Sequence, residues 1–311
     1  MKPALSVIFF TVSSGAGLGL AIWLLAAQLT QRTDASQRGF WVAAVLAALL
    51  LSAGLLSSTL HLANRKNAWR SFARVRTSWL SREGVLAVAL YPLAALHLWL
   101  SAAGAPAAQA SAVLVIALAL AIVVSTAMIY ACLKTVPRWR TWHTPVLYVL
   151  YALASGGLLC QAIGAVVGGI PTSGGSGLIG LAVAAAAVKL AFYAKFSARV
   201  HATLNEALAV PETAPAGKVQ GRVRLLDAGH THGTFLTNEF GFELARGHAS
   251  ALRSTMFALT LVVPVLALMM GGAPGAVLAA GSFLAGLLVE RWLFFAQAEH
   301  VVRLYHGQQR V

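Results

Sequence analysis

Eight stretches of about twenty apolar residues leave this chain few ways to fold. They run roughly over 4–28, 39–63, 83–103, 108–133, 145–169, 175–197, 253–271 and 275–298, and each is long enough for a helix to cross ~30 Å of hydrocarbon. Lipid offers backbone N–H and C=O groups no partner, so a spanning segment must satisfy its own by coiling. Strands of a membrane barrel are about half as long. The expected fold is therefore all-α: a polytopic membrane protein, a bundle of eight transmembrane helices forming one domain over residues 1–311.

Composition agrees. Only 10% of the side chains are charged and 59% are hydrophobic, against about a quarter charged in soluble chains. A net charge of +14 would suggest nucleic acid in a soluble domain. Here the basic residues lie almost entirely in short segments between apolar runs, which points to membrane topology instead and excludes a nucleic-acid role. The start, MKPALSVIFF, runs into more than twenty apolar residues with no small-residue cleavage site, and reads as a first span. Cys132 and Cys160 fall in or at the ends of apolar runs, outside any disulfide framework.

The connections alternate in character. SAAGAPAA, GGIPTSGG and GGAPGA carry Gly and Pro but neither Lys nor Arg, and they turn the chain sharply back. The opposite side holds Lys2, six basic residues from Arg65 to Arg82, Arg138, Arg140, a long loop over 199–250 and a basic tail. Arg32 and Arg38, in the first hairpin, run against the trend. The positive-inside bias places both termini in the cytoplasm, as an even number of spans requires. In the first span, Gly15, Gly17 and Gly19 lack the strand–turn–helix context of a nucleotide loop; the Gly15/Gly19 spacing is that of close helix packing.

Within the loop at 64–82, Trp69, Phe72, Val75 and Trp79 recur at three- to four-residue intervals, and Lys66, Arg70 and Arg74 at four. That pattern is an amphipathic helix in the interface, whose basic side is free to meet phosphates or an acidic partner. His61 closes the second run and Glu83 opens the third. An imidazole and a carboxylate at that depth suit the head group of a lipid-soluble quinol, whose tail stays in the bilayer. They equally suit an interfacial histidine and a carboxylate capping a helix start. Lys189 and Glu290 lie deeper, ~12 Å inside their helices, where charges pair or line a proton-accessible cavity. Arg291 is expected to point ~100° away from Glu290 around its helix and to take no part.

His97 lies ~21 Å from the level of His61 and His143, so only those two could be paired axial haem ligands, and both sit too close to water for an ordinary b-type site. No haem is expected, and no metal: His230 and His232 have only Asp227 near them in sequence. A secondary transporter would show interrupted helices in corresponding halves or an internal repeat, and the sequence carries neither.

KPALSVIFFTVSSGAGLGL at the start, SWLSRE at 78–83 and LLDAGHTHGTFLTNEFGF at 225–242 together resemble the membrane-anchor subunits of the dimethyl sulfoxide reductase type, the DmsC family. The look is closest to anchors of sulfite-oxidising complexes. The resemblance implies partners: a molybdopterin-containing catalytic subunit and an electron-transfer subunit with iron–sulfur clusters. It also implies a quinone, menaquinone or ubiquinone, as the redox partner in the bacterial inner membrane. By motif the family's quinone-associated histidine and glutamate fall on His61 and Glu83, with Arg82 as an added head-group or carboxylate partner. Arg70, Arg74, Arg76, Arg222 and Arg224 are the expected docking residues. An anchor without a quinone site is the remaining alternative.

Overall fold

The computed structural model describes residues 3–60, 65–172, 175–196, 203–208, 210–211, 213, 221–224, 248–301 and 304. Eight long helices account for most of them: α1 (Leu5–Leu29), α2 (Arg38–Leu60), α3 (Trp79–Ala102), α4 (Ala107–Ala131), α5 (His143–Val167), α6 (Gly175–Phe196), α7 (Ala249–Met270) and α8 (Gly272–Ala296). All eight are long and apolar enough to cross a membrane, so the chain is an all-α polytopic membrane protein. His61, His230, His232 and the 225–242 stretch lie outside the described residues.

The bundle is built around α1 and α5. Two-thirds of the apolar core of each (67%) is buried, against 17% for α3 and 22% for α7 at the periphery. Lipid gives no hydrophobic drive for helices to associate, so close backbone approach has to supply the contact. A Cβ on Gly19 would lie 1.8 Å from the Ala152 carbonyl oxygen, and one on Gly156 would lie 2.0 Å from the Gly19 carbonyl carbon. The opposite side of α1 meets α2, where a Cβ on Gly17 would come within 2.8 Å of the Ala47 carbonyl oxygen. Gly15 is looser, with Ala152 Cβ 4.0 Å away. The Gly15/Gly19 spacing thus does face α5, but only Gly19 must lack a side chain. The α4 helix fills the space between α1 and α3, α6 and α8 each pack on α5, and α7 packs on α8.

Tight turns join helices at one end. Gly168 and Gly169 follow α5 at φ 80° and 75°, a left-handed conformation that favours glycine. Thr33 in the first hairpin donates to the Gly169 carbonyl at 2.5 Å, so these two connections share that end. At the other end Ser57 donates to the Ser6 carbonyl at 3.0 Å, and Val301 N–H donates to Thr135 O at 2.9 Å. The described start and finish of the chain therefore lie together, at the end that carries the 65–78 and 132–142 connections.

Two local features differ from the sequence reading. Residues Arg65–Arg74 form a 3-10 helix, tighter than the expected α-helical turn, with Trp69 and Phe72 exposed. The α3 helix starts at Trp79 rather than near 83, capped by Ser78, whose hydroxyl accepts from Ser81 N–H. Inside α7, residues Ala258–Val262 form a π turn directly before Pro264. Proline brings no N–H to the helix ladder, and a widened turn accommodates the unpaired carbonyl upstream.

The α1–α5 crossing yields a direct expectation. Gly19→Ala forces two backbones apart and should destabilise the bundle by ~1–3 kcal/mol, the usual range for overpacking. Gly15→Ala should be tolerated. Thermal denaturation of the detergent-solubilised protein compares the two.

Candidate functional site

One turn inside α3 the chain buries a carboxylate. Glu83 is 4% exposed, and its Oε1 is hydrogen-bonded to the hydroxyl of Thr126 on α4. The earlier start of α3 explains the position: with Ser78 capping the helix, Glu83 is its fifth residue and points between α3 and α4. The helix-capping role open to a glutamate at a span's first residue therefore belongs to Ser78. Thr126 Oγ1 also lies 3.0 Å from the Ile122 carbonyl oxygen, so its single proton has two acceptors to choose from.

Arg82, the neighbour of Glu83, turns outward. Its guanidinium donates from Nε to the Val75 carbonyl at 2.9 Å and from Nη2 to the Arg76 carbonyl at 2.8 Å. It also stacks 4.2 Å over the Trp79 ring. Arg82 thereby ties the end of the basic connection to the start of α3. Exposed Arg70, Arg74 and Arg76 lie along that connection, and exposed Arg222 and Arg224 belong to the described part of the 199–250 loop.

Past Glu83, the same face of α3 carries Ala87, Leu90, Tyr91, Ala94 and His97, at spacings of three and four. From Leu90 onward this face borders an apolar crevice of about 100 Å³ shared with α1, α2 and α4. The Tyr91 hydroxyl reaches across to Ser52 of α2 at 2.7 Å. His97 stands at the far end, held by Ser111 at 2.9 Å and Gln28 at 3.0 Å.

A second polar grouping lies deeper. Lys189 Nζ of α6 is 2.5 Å from Glu290 Oε1 of α8, with both side chains almost wholly buried. Such pairing is what a charge removed from water requires. Arg291 corrects the expectation that it stands apart: its Nε lies 2.7 Å from Glu290 Oε2. The ~100° between neighbouring Cα–Cβ directions describes where side chains leave the helix. A side chain as long as arginine curls back round it. The guanidinium sits 3.9 Å over the Tyr148 ring, where the aromatic face attracts a cation.

Between the two groupings is a small cavity of about 20 Å³, bounded by α1, α4, α5 and α8. Thr126 borders it from the Glu83 side and Arg291 from the other, with Ser14, Ser155 and Tyr148 around it. Sequence reasoning missed Thr126 and Tyr148 because a lone hydroxyl in an apolar run reads as ordinary helix packing. His143 opens α5 and is held by Thr141 at 2.6 Å.

The framework is an eight-helix membrane bundle with buried carboxylates on α3 and α8 and an exposed basic connection before α3. The chain belongs to the DMSO reductase anchor subunit (DmsC) family, which it matches over residues 1–296. It is 33% identical, over 329 aligned residues covering 98% of this chain and 99% of the relative, to a sulfite dehydrogenase subunit from Allochromatium vinosum.

The buried charges carry their own prediction. Glu290→Leu leaves Lys189 and Arg291 facing each other without an anion and should cost about 3–5 kcal/mol, enough to empty the membrane of folded protein. Replacing all three together, Lys189→Met with Glu290→Leu and Arg291→Leu, removes every charge of the cluster and should restore accumulation. Immunoblots of membrane fractions report both.

Proposed function

We propose that this chain is the quinone-reactive anchor of a molybdopterin and iron–sulfur oxidoreductase complex in the bacterial inner membrane. It passes electrons between the iron–sulfur subunit and a membrane quinone, menaquinone or ubiquinone, and Glu83 is the group at which protons are exchanged. The observation that carries this reading is a carboxylate buried at the end of a span, on a helix face that continues into an apolar crevice. A quinone asks for that combination: a proton-exchanging group for its oxygens and an apolar channel for its isoprenoid tail.

His61 follows the end of α2 and supplies the second head-group contact. Arg82 positions rather than protonates, because its donors hold the Val75 and Arg76 carbonyls and so fix the loop that leads to Glu83. Basic Arg70, Arg74, Arg76, Arg222 and Arg224 form the docking surface for the iron–sulfur subunit, with the molybdopterin subunit beyond it. Docking on that side puts both termini in the cytoplasm. The likeness to a sulfite dehydrogenase subunit along nearly the full length of both chains favours a sulfite-oxidising complex, in which electrons flow toward quinone.

Glu83→Gln keeps the shape and removes the titratable group. In the assembled complex it should lower quinone-coupled turnover by about 100-fold, the scale of positioned acid–base catalysis, while transfer to a soluble artificial acceptor stays unchanged. Wild-type quinone turnover in this variant would reject Glu83 as the site. Independently, reversing Arg70, Arg74 and Arg76 to Glu should release the soluble subunits from membranes; their full retention would move the docking surface elsewhere.

A further inference from the structure

At the end of the bundle away from the described start and finish of the chain, a cavity of about 220 Å³ lies between α1, α5 and the beginning of α6. It is larger than either hollow described above, and neither the proposed quinone site nor the docking surface uses it. At its closed end Trp23 and Leu178 meet over Gly157, where a Cβ would lie 2.4 Å from Leu178 Cδ2 and 2.8 Å from Trp23 Nε1. Ala26, Ala27 and Cys160 continue the wall. Trp23 stands six residues before the last residue of α1, and Cys160 seven before that of α5. The hollow therefore reaches ~10 Å below the helix ends, to hydrocarbon depth.

The polar groups that border it are mostly engaged. Trp23 Nε1 donates to the Leu153 carbonyl at 2.9 Å, the Thr30 hydroxyl to the Ala26 carbonyl at 2.9 Å, and the Gln161 amide to the Thr172 carbonyl at 2.6 Å. Arg32 differs. It is exposed at the mouth, and its guanidinium has no hydrogen bond, ion pair or ring contact among the described residues. The one carboxylate of the hairpin, Asp34, is turned to Ser36, accepting from both its N–H and its hydroxyl. Arg32 and Arg38 are also the two basic residues that run against the charge bias of the connections.

Water suits this hollow poorly. At ~10–15 Å³ for each molecule it would take on the order of fifteen, with a free hydrogen-bond donor only at the mouth. A hydrocarbon chain suits the walls, and an anion suits Arg32.

We propose that this cavity binds one anionic phospholipid, with an acyl chain lying along Ala26 and Ala27 toward Trp23 and Leu178 and its phosphate at Arg32. The planar guanidinium can present two parallel N–H donors to phosphate oxygens. An anionic head group is selected over an amine-bearing one, because an ammonium would be brought up to the positive charge of Arg32 and Arg38. A quinone, with its neutral head group, leaves Arg32 without an anion.

The detergent-solubilised full chain, equilibrated with equal amounts of phosphatidylglycerol and phosphatidylethanolamine and weighed by native mass spectrometry, tests the assignment. The wild type should retain one phospholipid, favouring phosphatidylglycerol by about fivefold, the scale of one arginine meeting an anionic lipid. Arg32→Gln should abolish the preference. Arg38→Gln changes a cation of the same hairpin that does not line the cavity, and should keep most of it. Ala26→Phe places a ring in the hollow and should leave neither lipid retained. Equal loss of preference in Arg32→Gln and Arg38→Gln would assign it to the general charge of the hairpin and overturn the site. Undiminished lipid retention in Ala26→Phe, or a quinone held by the wild type in place of phospholipid, would overturn it too. If Ala26→Phe fails to accumulate, the comparison of Arg32→Gln with Arg38→Gln decides, since both side chains are exposed.

Discussion

The architecture depends on backbone contact between α1 and α5. In a bilayer, apolar side chains gain nothing by leaving lipid for protein, so helices must meet where small residues let their main chains touch. Gly19 and Gly156 provide that meeting point, and Gly17 lets α2 close on the other side of α1. The consequence extends past stability. With α1 and α5 fixed, α4 and α8 are brought to either side of one small cavity, and α3 is left at the rim with a single face turned inward.

That geometry explains how charge survives inside the bundle. A lone carboxylate in hydrocarbon would simply take up a proton, whereas Glu290 sits between two cations at 2.5 and 2.7 Å. Thr126, the partner of Glu83, and Arg291, the partner of Glu290, line the same small cavity. Buried ion pairs add little net stability compared with well-packed apolar side chains.

Much of the fold was legible from the sequence. Eight apolar runs became eight helices, and the Gly-rich connections became the tight turns at one end, because hydrocarbon thickness and backbone hydrogen bonding leave a long apolar run one option. Boundaries were less legible. The stretch Trp79–Arg82 reads as loop because of its Ser and Arg residues, yet Ser78 is an effective N-cap and starts the helix a turn earlier. That single turn moves Glu83 from a surface position to a buried one. The site was legible only where charge marked it. Lys189 and Glu290 stand out in apolar runs, whereas Thr126, Tyr148 and the reach of Arg291 depend on which helices are neighbours. The π turn before Pro264 was equally hidden, since proline alone does not say how the ladder will adjust.

The account turns on Glu83 as the carboxyl that exchanges protons with quinone. Redox-induced infrared difference spectroscopy of the assembled complex observes this directly, because protonation of a buried carboxyl produces a C=O stretch separate from ionised carboxylate bands. On quinone reduction the wild-type complex should show a carboxyl band that shifts in D2O and vanishes in Glu83→Gln. A band that persists unchanged in Glu83→Gln, or a difference spectrum with no carboxyl contribution, would contradict it.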